Sequence, residues 1–401
     1  MKEGYKQTEI GVIPEDWEVS EIKDIGGLFS GDSPSKMRDG NIPYFKVDQL
    51  NNAYKYQKET PYFVQVNNPI STGSIIFPKR GAAIATNKIR IVAQDSFVDT
   101  NIMALTVTNE DINSEYIYYW LLRKGLSEIA DTTSVPQINN KHIYPLKFPK
   151  PTLMEQYHIA KALSDIDELI DLIEKLIEKK KAIKQGAMQE LLTGKRRLPG
   201  FSGDWKIVCL LEIGHFIKGS GISRADANSG KFPAVRYGEL YTKHTDYVKS
   251  YYSHISRDVA ATATPVTYGA ILFAASGETK EEIGKCAAII EDRTVYAGGD
   301  ILIFIPDKPI HPVFLGTLLN TPEVCKQKAQ RGQGDAIVHI HADSLSEIEV
   351  QIPEYDEQAA IADMLLSVDR EIDLLEMKTA KMRQIKQGMM QQLLTGAIRL
   401  I

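Results

Sequence analysis

Residues 155–198 read EQYHIAKALSDIDELIDLIEKLIEKKKAIKQGAMQELLTGKRRL, and residues 357–400 read EQAAIADMLLSVDREIDLLEMKTAKMRQIKQGMMQQLLTGAIRL. The two stretches align without a gap at a shift of 202 and are identical at 23 of 44 positions. Average residue usage predicts about two or three such identities by chance. The chain therefore contains an internal repeat, and its fold must be built around two copies of one element.

Both copies have the periodicity of an amphipathic helix. In the first copy, apolar residues such as Leu163, Ile166 and Ile170 recur at three- and four-residue spacing, with charged residues between them. A proline precedes each copy, and Gly194 or Gly396 follows the last leucine pair as a stop signal. Each helix is predicted to have about 38 residues and a length of roughly 57 Å. An amphipathic helix of this length needs a partner, and we expect the two copies to pair as an antiparallel coiled coil.

The segments before the two copies also correspond, although more faintly. Asp16-Trp17 matches Asp204-Trp205 at a shift of 188, and residues 73–77 match residues 269–273 at a shift of 196. The growing shift places the extra residues of the second half in loops, while the frame is retained. The order is globular, helix, globular, helix, with predicted boundaries at 1–150, 151–200, 201–353 and 354–401.

The globular segments are predicted to be mixed α and β. Short apolar runs bounded by Gly, Asn, Asp and Pro indicate strands at Ser74–Phe77, Ile102–Val107, Ile271–Ala274 and Ile301–Ile305. Helical spacing appears at equivalent places in the two halves, over Ser114–Ile129 and Pro312–Lys328. The predicted fold class is α+β: two similar mixed α/β domains separated by two long helices, with approximate two-fold symmetry.

Composition limits the class of protein. The 401 residues are 43% hydrophobic and 25% charged, with a formal net charge of −5, as is ordinary for a soluble globular chain. No apolar run approaches the roughly 20 residues that span a bilayer, and no signal-peptide pattern follows the start, so a cytoplasmic location without membrane contact is predicted. Cys209, Cys286 and Cys325 match neither a disulfide framework nor a metal motif.

Several segments resemble parts of catalytic or metal-binding motifs, but none of these motifs is complete. The Gly-Lys at residues 194–195 ends a helix and lacks the phosphate-loop pattern. Asn67-Asn68-Pro69-Ile70 only superficially resembles the motif with which adenine methyltransferases hold their target amino group, and a turn is the favoured interpretation. His339-x-His341 lacks a third ligand at metal spacing and favours a half-exposed strand. No nucleophile elbow is present. The chain is predicted to be non-catalytic, without metal.

Two similar but unequal domains that are separated by two paired long helices would hold two surfaces a set distance apart. Such a pseudo-dimer within one chain suits a ligand that is itself repetitive along an axis. Duplex DNA with two half-sites is the leading example.

The sequence resembles the specificity subunit of a type I restriction-modification system over essentially the whole chain. Trp17 and Trp205 open the two halves, and Pro151 and Pro353 precede the repeated Glu-Gln pairs. The Gln-Gly and Leu-Leu-Thr-Gly endings resemble the family's two helical regions. The family's early loop is matched by Gly31, Pro34 and residues 40–43 in the first half, and by Gly219 and residues 230–233 in the second.

The resemblance implies that residues 17–150 and 205–352 are target-recognition domains, each reading one half of an asymmetric bipartite DNA site. It implies that two methyltransferase subunits dock on the helical regions and that restriction (motor-nuclease) subunits join them. It further implies that S-adenosylmethionine, ATP and Mg²⁺ are bound only by those partner subunits, and that this chain holds no cofactor.

Among the features of the sequence, its charge distribution gives the weakest support for a nucleic-acid ligand. The segments 1–150, 151–200, 201–353 and 354–401 carry −1, +1, −3 and −2. An isolated DNA-binding protein usually has a basic stripe, since phosphate neutralisation supplies most non-specific affinity. We therefore expect basic residues to cluster locally and the partner methyltransferases to supply much of the phosphate contact.

Candidate DNA-binding residues are polar or cationic side chains in loops. Lys46 and Arg236 occupy equivalent positions in the two halves, and any single candidate could instead be an ordinary surface cation. The candidates are Lys36, Arg38, Lys46, Lys79, Arg80, Asn87, Lys88 and Arg90 in the first half, and Lys218, Ser220, Arg224, Arg236, Tyr237, Lys280 and Lys285 in the second.

Candidate docking residues lie near the end of each helix copy. Packing of the two helices would require only apolar identity, yet polar residues are repeated as well, which favours a surface that binds a partner. The repeated glycine inside each helix predicts close helix approach or a bend, because glycine costs about 1 kcal/mol relative to alanine there. The set is Lys184, Gln185, Gly186, Gln189, Lys386, Gln387, Gly388 and Gln391.

Two other functions are compatible with the sequence. A coiled-coil scaffold whose globular domains bind proteins fits the mild negative charge. An enzyme with an unrecognised site is the remaining alternative. It is disfavoured because the sequence contains none of the catalytic motifs in complete form.

Overall fold

The computed structural model describes residues 3–33, 38–51, 55–131, 135–334 and 337–400. The chain divides into two compact units, of which unit 1 comprises Met1–Ile177 with Leu375–Ile401 and unit 2 comprises Glu178–Leu374. Unit 1 is thus built from both ends of the chain, because the C-terminal part of the second repeated helix belongs to it.

Unit 1 contains twelve named strands within the described ranges, three short helices and the first part of a long one. Its strands are β1 (Tyr5–Thr8), β2 (Gly11–Pro14), β3 (Glu18–Glu21), β4 (Gly26–Ser30), β5 (Arg38–Phe45), β6 (Tyr56–Gln57), β7 (Phe63–Gln65), β8 (Ile75–Pro78), β9 (Arg90–Val92), β10 (Phe97–Val98), β11 (Ile102–Val107) and β12 (Lys147–Lys150). Its helices are α1 (Ser114–Lys124), α2 (Leu126–Ile129), α3 (Asn140–Ile143) and α4 (Leu153–Leu191).

Unit 2 follows the same plan. Its strands are β13 (Lys206–Cys209), β14 (Gly214–Lys218), β15 (Phe232–Val235), β16 (Ser253–Ile255), β17 (Thr264–Val266), β18 (Ile271–Ala274), β19 (Ser276–Gly277), β20 (Cys286–Ala288), β21 (Val295–Ala297), β22 (Ile301–Pro306), β23 (Val338–His339) and β24 (Glu349–Ile352). Its helices are α5 (Leu210–Ile213), α6 (Tyr237–Thr242), α7 (Arg257–Ala260), α8 (Pro312–Leu318), α9 (Pro322–Arg331), α10 (Ala342–Ser346) and α11 (Tyr355–Leu393).

The sheets of the two units share a plan but differ in strand number. In unit 1 the larger sheet has the order β4-β11-β8-β9-β6, and in unit 2 it has the order β14-β22-β18-β20. A second sheet contains β10-β5-β7 in unit 1 and β16-β15-β21-β17 in unit 2, and each includes a parallel pair, β5 with β10 and β15 with β21. The predicted mixed α/β class is confirmed, and all four predicted strands are present to within one residue.

The two short helices predicted in the globular segments are each broken in the structure. Ser114–Ile129 forms α1 and α2 because Gly125, at φ 80°, interrupts the helix. Pro312–Lys328 forms α8 and α9 because Pro322 occupies the first turn of a new helix and supplies no backbone N–H to continue the old one.

Helices α4 and α11 are the two repeated elements, and each has 39 residues. Within unit 1, Asp167 binds Lys386 at 2.6 Å and Glu174 binds Arg383 at 2.5 Å. The partner's number falls as the α4 number rises, so the helices are antiparallel. Unit 2 has the same order, with Lys180 bound to Glu371 at 2.5 Å and Lys184 to Asp369 at 2.9 Å. The predicted helices and their antiparallel packing are confirmed.

Each unit has a core that needs the end of one long helix and the start of the other. In unit 1, Leu393 and Leu394 at the end of α11 are buried in one cluster with Ile159 and Leu163 of α4 and with Trp17; Leu394 is the first residue past the helix. In unit 2, Leu191 and Leu192 at the end of α4 are buried with Ile361 and Leu365 of α11; Leu192 is the first residue past the helix. The repeated Leu-Leu pair is therefore the apolar anchor with which each helix ends.

A partly buried ionic cluster, here called the clasp, closes unit 1; its Glu155 carboxylate is buried and its Asp16 carboxylate is exposed. Arg399 donates two hydrogen bonds to the Glu155 carboxylate, at 2.6 and 2.8 Å, and two to Asp16, at 2.9 and 2.8 Å. Trp17 Nε1 donates to the same glutamate at 2.9 Å. The arginine holds the pKa of Asp16 below its usual value. The clasp therefore ties the chain start, the start of α4 and the chain end together.

Unit 2 repeats the clasp with three hydrogen bonds fewer. Arg197 donates to Glu357 at 2.6 and 2.5 Å, and its guanidinium lies 5.8 Å from the Trp205 ring. Trp205 Nε1 is buried without a partner among the described residues.

The glutamine that follows each clasp glutamate has a structural role of its own. Gln156 Oε1 accepts from the backbone of Asn113, and Gln358 Oε1 accepts from that of His311, the residues that precede α1 and α8. The repeated Glu-Gln pair is thus accounted for within each unit.

The glycine after each leucine pair is required by its surroundings. Gly396 has φ 72°, and an added Cβ would lie 2.5 Å from Pro14. Gly194, at φ 67°, would meet the ring of Trp205 at 3.5 Å. Both end their helix in the left-handed conformation that glycine adopts without strain.

Gly186 and Gly388, the glycines inside the long helices, do not mark a close approach of one helix to the other within either unit. That expectation is wrong. A Cβ built on Gly186 or Gly388 meets nothing within 4 Å. Both residues are exposed, so packing within either unit does not require them.

Replacing Arg399 with alanine should lower the free energy of unfolding by about 3–5 kcal/mol, because Glu155 then remains buried without its cation. Urea-induced unfolding measures this change. Arg196→Ala serves as the matched control, since Arg196 is exposed and bonds Glu190 only at 3.4 Å; its effect should not exceed about 1 kcal/mol. Equal unfolding midpoints for the two variants would show that the clasp contributes no more than a surface pair.

Candidate nucleic-acid interface

Two of the cationic candidates in unit 1 bond to their own unit. Lys79 donates to Ser30 Oγ at 2.9 Å, and its pKa is lowered chiefly by burial and then by the charge of Arg80. Arg90 donates to the backbone carbonyl of Leu50 at 2.7 Å. Such bonds to the chain itself hold the β8 and β9 regions in place.

The side chains of Asn87 and Lys46 also make contacts within unit 1. Asn87 accepts from the backbone N–H of Leu126 at 2.9 Å and donates to the carbonyl of Leu122 at 3.0 Å, so it bridges the break between α1 and α2. Lys46 Nζ lies 3.7 Å from the centroid of the Tyr62 ring, a cation–π contact.

In unit 2 the corresponding occupied residue is Arg236. It donates to Glu239 at 3.2 Å and to Ser253 at 2.9 Å, and both partners are buried. Its backbone N–H donates to the side chain of Glu239, three residues on, as that of Lys46 donates to Gln49. The two positions thus share one local geometry.

The candidates fall into an occupied and an unoccupied set. Polar groups are engaged inside the unit in Lys46, Lys79, Asn87, Lys88, Arg90, Ser220, Arg236 and Lys285. Six exposed side chains make no hydrogen bond or ion pair within the described part of the chain: Arg38, Arg80, Lys218, Arg224, Tyr237 and Lys280. Lys36 and Pro34 lie outside the described residues.

A concavity of about 700 Å³ in unit 2 gathers three of the candidates. Arg224, Arg236 and Tyr237 all line it. Lys243 and Tyr252 line it too, with the Lys243 ammonium 5.3 Å from the ring centroid. Sequence reasoning missed this last pair, because their nine-residue separation gives no sign that they meet.

A concavity of about 510 Å³ in unit 1 contains Arg38 together with three amide side chains, those of Gln65, Asn67 and Asn68. The turn predicted at Asn67-Asn68 is confirmed, since the chain bends there after β7. Sequence reasoning considered this segment only as a possible methyltransferase motif and did not include the amides among the DNA-binding candidates.

The predicted docking residues divide in the same manner. Lys184 and Lys386 form ion pairs inside their units, with Asp369 and Asp167 respectively. Gln185, Gly186 and Gln189 are exposed on α4, as are Gln387, Gly388 and Gln391 on α11. Beside them, Ile183 and Ile385 remain 50% and 38% exposed. An apolar residue and a glycine therefore recur on an exposed face of both helices.

Only the first histidine of the pair singled out in the sequence lies on a strand, since β23 ends at His339 and His341 precedes α10. His339 is exposed at the end of β23, with Nδ1 2.9 Å from Ser276 Oγ, while its neighbours Val338 and Ile340 are buried. No cluster of three or more His, Cys, Asp or Glu able to hold a metal occurs among the described residues. No helix in the described ranges is long and apolar enough to cross a bilayer.

The curated protein MjaVIII, a type I restriction enzyme specificity subunit of Methanocaldococcus jannaschii, is 28% identical to this chain. The alignment covers 99% of this chain and 96% of that protein.

Two solved structures share the fold. The S subunit of a type I restriction-modification system from M. genitalium has a TM-score of 0.61 at 15% identity, over 98% of this chain and 99% of that one. A chain solved in work on the assembly of the type I R-M system has a TM-score of 0.58 at 14% identity, over 96% of this chain and 99% of that one.

A family model described as the type I restriction modification DNA specificity domain matches residues 14–182 and 202–384. It therefore matches the chain twice, once in each half of the internal repeat. This chain belongs to the type I restriction-modification DNA specificity family.

Proposed function

We propose that this chain is the DNA-recognition subunit of a type I restriction-modification complex, with each unit reading one half of an asymmetric bipartite target. The observation that carries the proposal is the repetition of one frame with different exposed groups. Within the globular segments, repeated groups such as the Lys46 and Arg236 backbone contacts are bonded inside their unit, whereas exposed polar groups differ.

The loops after β8 and β18 illustrate this difference. After β8, Arg80 precedes a 3-10 turn (Gly81–Thr86) and leaves its guanidinium in solvent. After β18 the chain instead forms the short strand β19, which pairs with β23. Two units with such different hydrogen-bonding groups would read different base sequences.

The exposed faces at the ends of α4 and α11 support docking of partner subunits. Ile183 and Gly186 in one helix, and Ile385 and Gly388 in the other, are repeated although packing inside the units does not use them. Repetition in both helices suits two copies of one partner, for which we infer two methyltransferase subunits. Restriction subunits would join them, and S-adenosylmethionine, ATP and Mg²⁺ would bind to these partners.

The net charge of −5 fits this division of labour. Phosphate contacts dominate non-specific DNA affinity, so a mildly acidic chain gains from partners that supply cations. A scaffold that binds only proteins is not favoured, because it would not account for the family's DNA specificity domain in both halves.

The proposed function predicts one methylated motif with two unlike halves. Sequencing the methylated adenines of host DNA, with and without this chain, measures it. We expect the motif to be lost with the chain and to be asymmetric about a spacer. A palindromic motif, or methylation that persists without the chain, would contradict the proposal.

Arg80→Ala should relax discrimination at one base pair by about 1–3 kcal/mol, because an arginine that contacts guanine makes two hydrogen bonds to it. Binding of variant half-sites by the assembled complex measures the change. Lys58→Ala, an exposed cation of the same unit beside α4, should leave every position unchanged. Identical base preferences in wild type and Arg80→Ala would remove Arg80 from the interface.

Gly186→Ala combined with Gly388→Ala separates docking from folding. Because no atom lies within 4 Å of either added Cβ, the free chain should gain up to about 1 kcal/mol of stability for each substitution. If partners pack against these glycines, the added methyl groups should weaken their binding by about tenfold or more. Unfolding and methyltransferase titration give the two values.

Gly203→Ala is the control, since that loop glycine also has no neighbour within 4 Å of an added Cβ. Unchanged methyltransferase affinity in the double variant would place the docking surface elsewhere on the chain.

A further inference from the structure

The β5–β7 pair of unit 1 is an antiparallel ribbon whose register shifts near its end. Arg38 pairs with Gln65 and Asp39 with Val64, but Val64 also pairs with Ile42, so Gly40 and Asn41 form a bulge. Bulges bend a ribbon and re-aim the side chains beside them.

The bulge requires glycine. A Cβ on Gly40 would lie 2.4 Å from the backbone of Val64 and of Gln65, a distance that no side chain tolerates. The close approach of the two strands at this point therefore determines the direction in which the ribbon end, with Arg38 and Gln65, is presented.

Four polar side chains meet at this ribbon end. Arg38 and Gln65 are cross-strand partners, and Asn67 and Asn68 follow in the bend after β7. All four are exposed and line the same concavity of about 510 Å³. Within the described ranges none of their side chains has a hydrogen-bond partner, unlike the occupied arginines and asparagine elsewhere in the unit.

The corresponding ribbon of unit 2 shares the close approach of two strands at a glycine, but not the chemistry. A Cβ on Gly230 would lie 2.2 Å from the carbonyl oxygen of Ile255, much as one on Gly40 would meet the backbone of Val64. The β15–β16 pairing keeps one register, without the shift found between β5 and β7. The exposed residues beside Gly230 are Lys231 and Phe232, and no amide pair follows β16.

Such an end matches the chemistry of base edges. A two-stranded ribbon fits the DNA major groove, where a glutamine or asparagine amide pairs with the N6 and N7 atoms of adenine and an arginine pairs with guanine. Three free amides beside one free arginine therefore favour adenine next to guanine.

We propose that the β5–β7 ribbon end is the base-reading element of unit 1, in which Gln65, Asn67 and Asn68 recognise adenine and Arg38 recognises an adjacent guanine in the major groove. This inference rests on the proposed function and adds to it the residues and the base class of one half-site.

The test uses the full chain assembled with its methyltransferase and DNA carrying the motif found by methylation sequencing. Each adenine of the unit 1 half-site is replaced in turn by 7-deazaadenine, which lacks the N7 acceptor but keeps the Watson–Crick edge. Wild type, Gln65→Ala, Asn67→Ala, Asn68→Ala and Arg38→Ala are compared. Gln94→Ala is the matched control, because Gln94 is an exposed amide of the same unit that lies outside the ribbon and does not line the concavity.

We expect at least one amide variant to lose about 5- to 150-fold discrimination at a single adenine and to become insensitive to 7-deazaadenine there, with the other half-site unaffected. Gln94→Ala should bind as wild type does.

Three results would overturn the inference. If all four variants keep wild-type preferences, base reading lies elsewhere in unit 1 and the proposed function survives. If they weaken binding to every sequence equally, the ribbon contacts phosphates only. If the wild-type complex itself shows no sequence preference, the proposed function fails and the inference fails with it.

Discussion

A buried carboxylate at the start of each long helix binds the arginine that follows the end of the other helix. Glu155 and Arg399 are 244 residues apart, and Glu357 and Arg197 are 160 apart. The core of each unit is complete only when the end of the long helix, with its Leu-Leu pair, is packed in place. Without it, apolar surface is exposed and the buried glutamate loses its arginine partner. Such long-range closure makes the fold depend on the whole chain, which in general slows folding.

This constraint divides the residues by role. Positions repeated between the halves, such as Gln156, Gln358, Gly194 and Gly396, serve contacts inside a unit, so they cannot change without a cost in stability. Side chains such as Arg38 and Gln65 on the ribbon end and Arg80 in the loop after β8 make no such contacts with the described residues. Recognition chemistry can therefore vary on an unvarying frame, which is what two unlike half-sites require.

The candidate site shows how far sequence reasoning reaches. Residue type and loop position selected Arg38 and Arg80, which are free, but they selected Asn87 and Arg90 equally, and these bond to backbone groups of their own unit. Gln65 and Asn68 were missed because an amide at the end of a strand or in a bend carries no signal in the sequence. Helix breaks at Gly125 and Pro322 were overlooked because apolar spacing continues across them.

The sequence by itself determined the repeat, the two 39-residue helices and their antiparallel pairing, because a 3.6-residue periodicity and a constant shift are local and cumulative signals. Only the tertiary structure decided which polar groups remain free for a ligand. A hydrogen-bond partner such as Leu50 for Arg90 lies 40 residues away, and Ser253 lies 17 residues from Arg236; folding alone brings each within 3 Å.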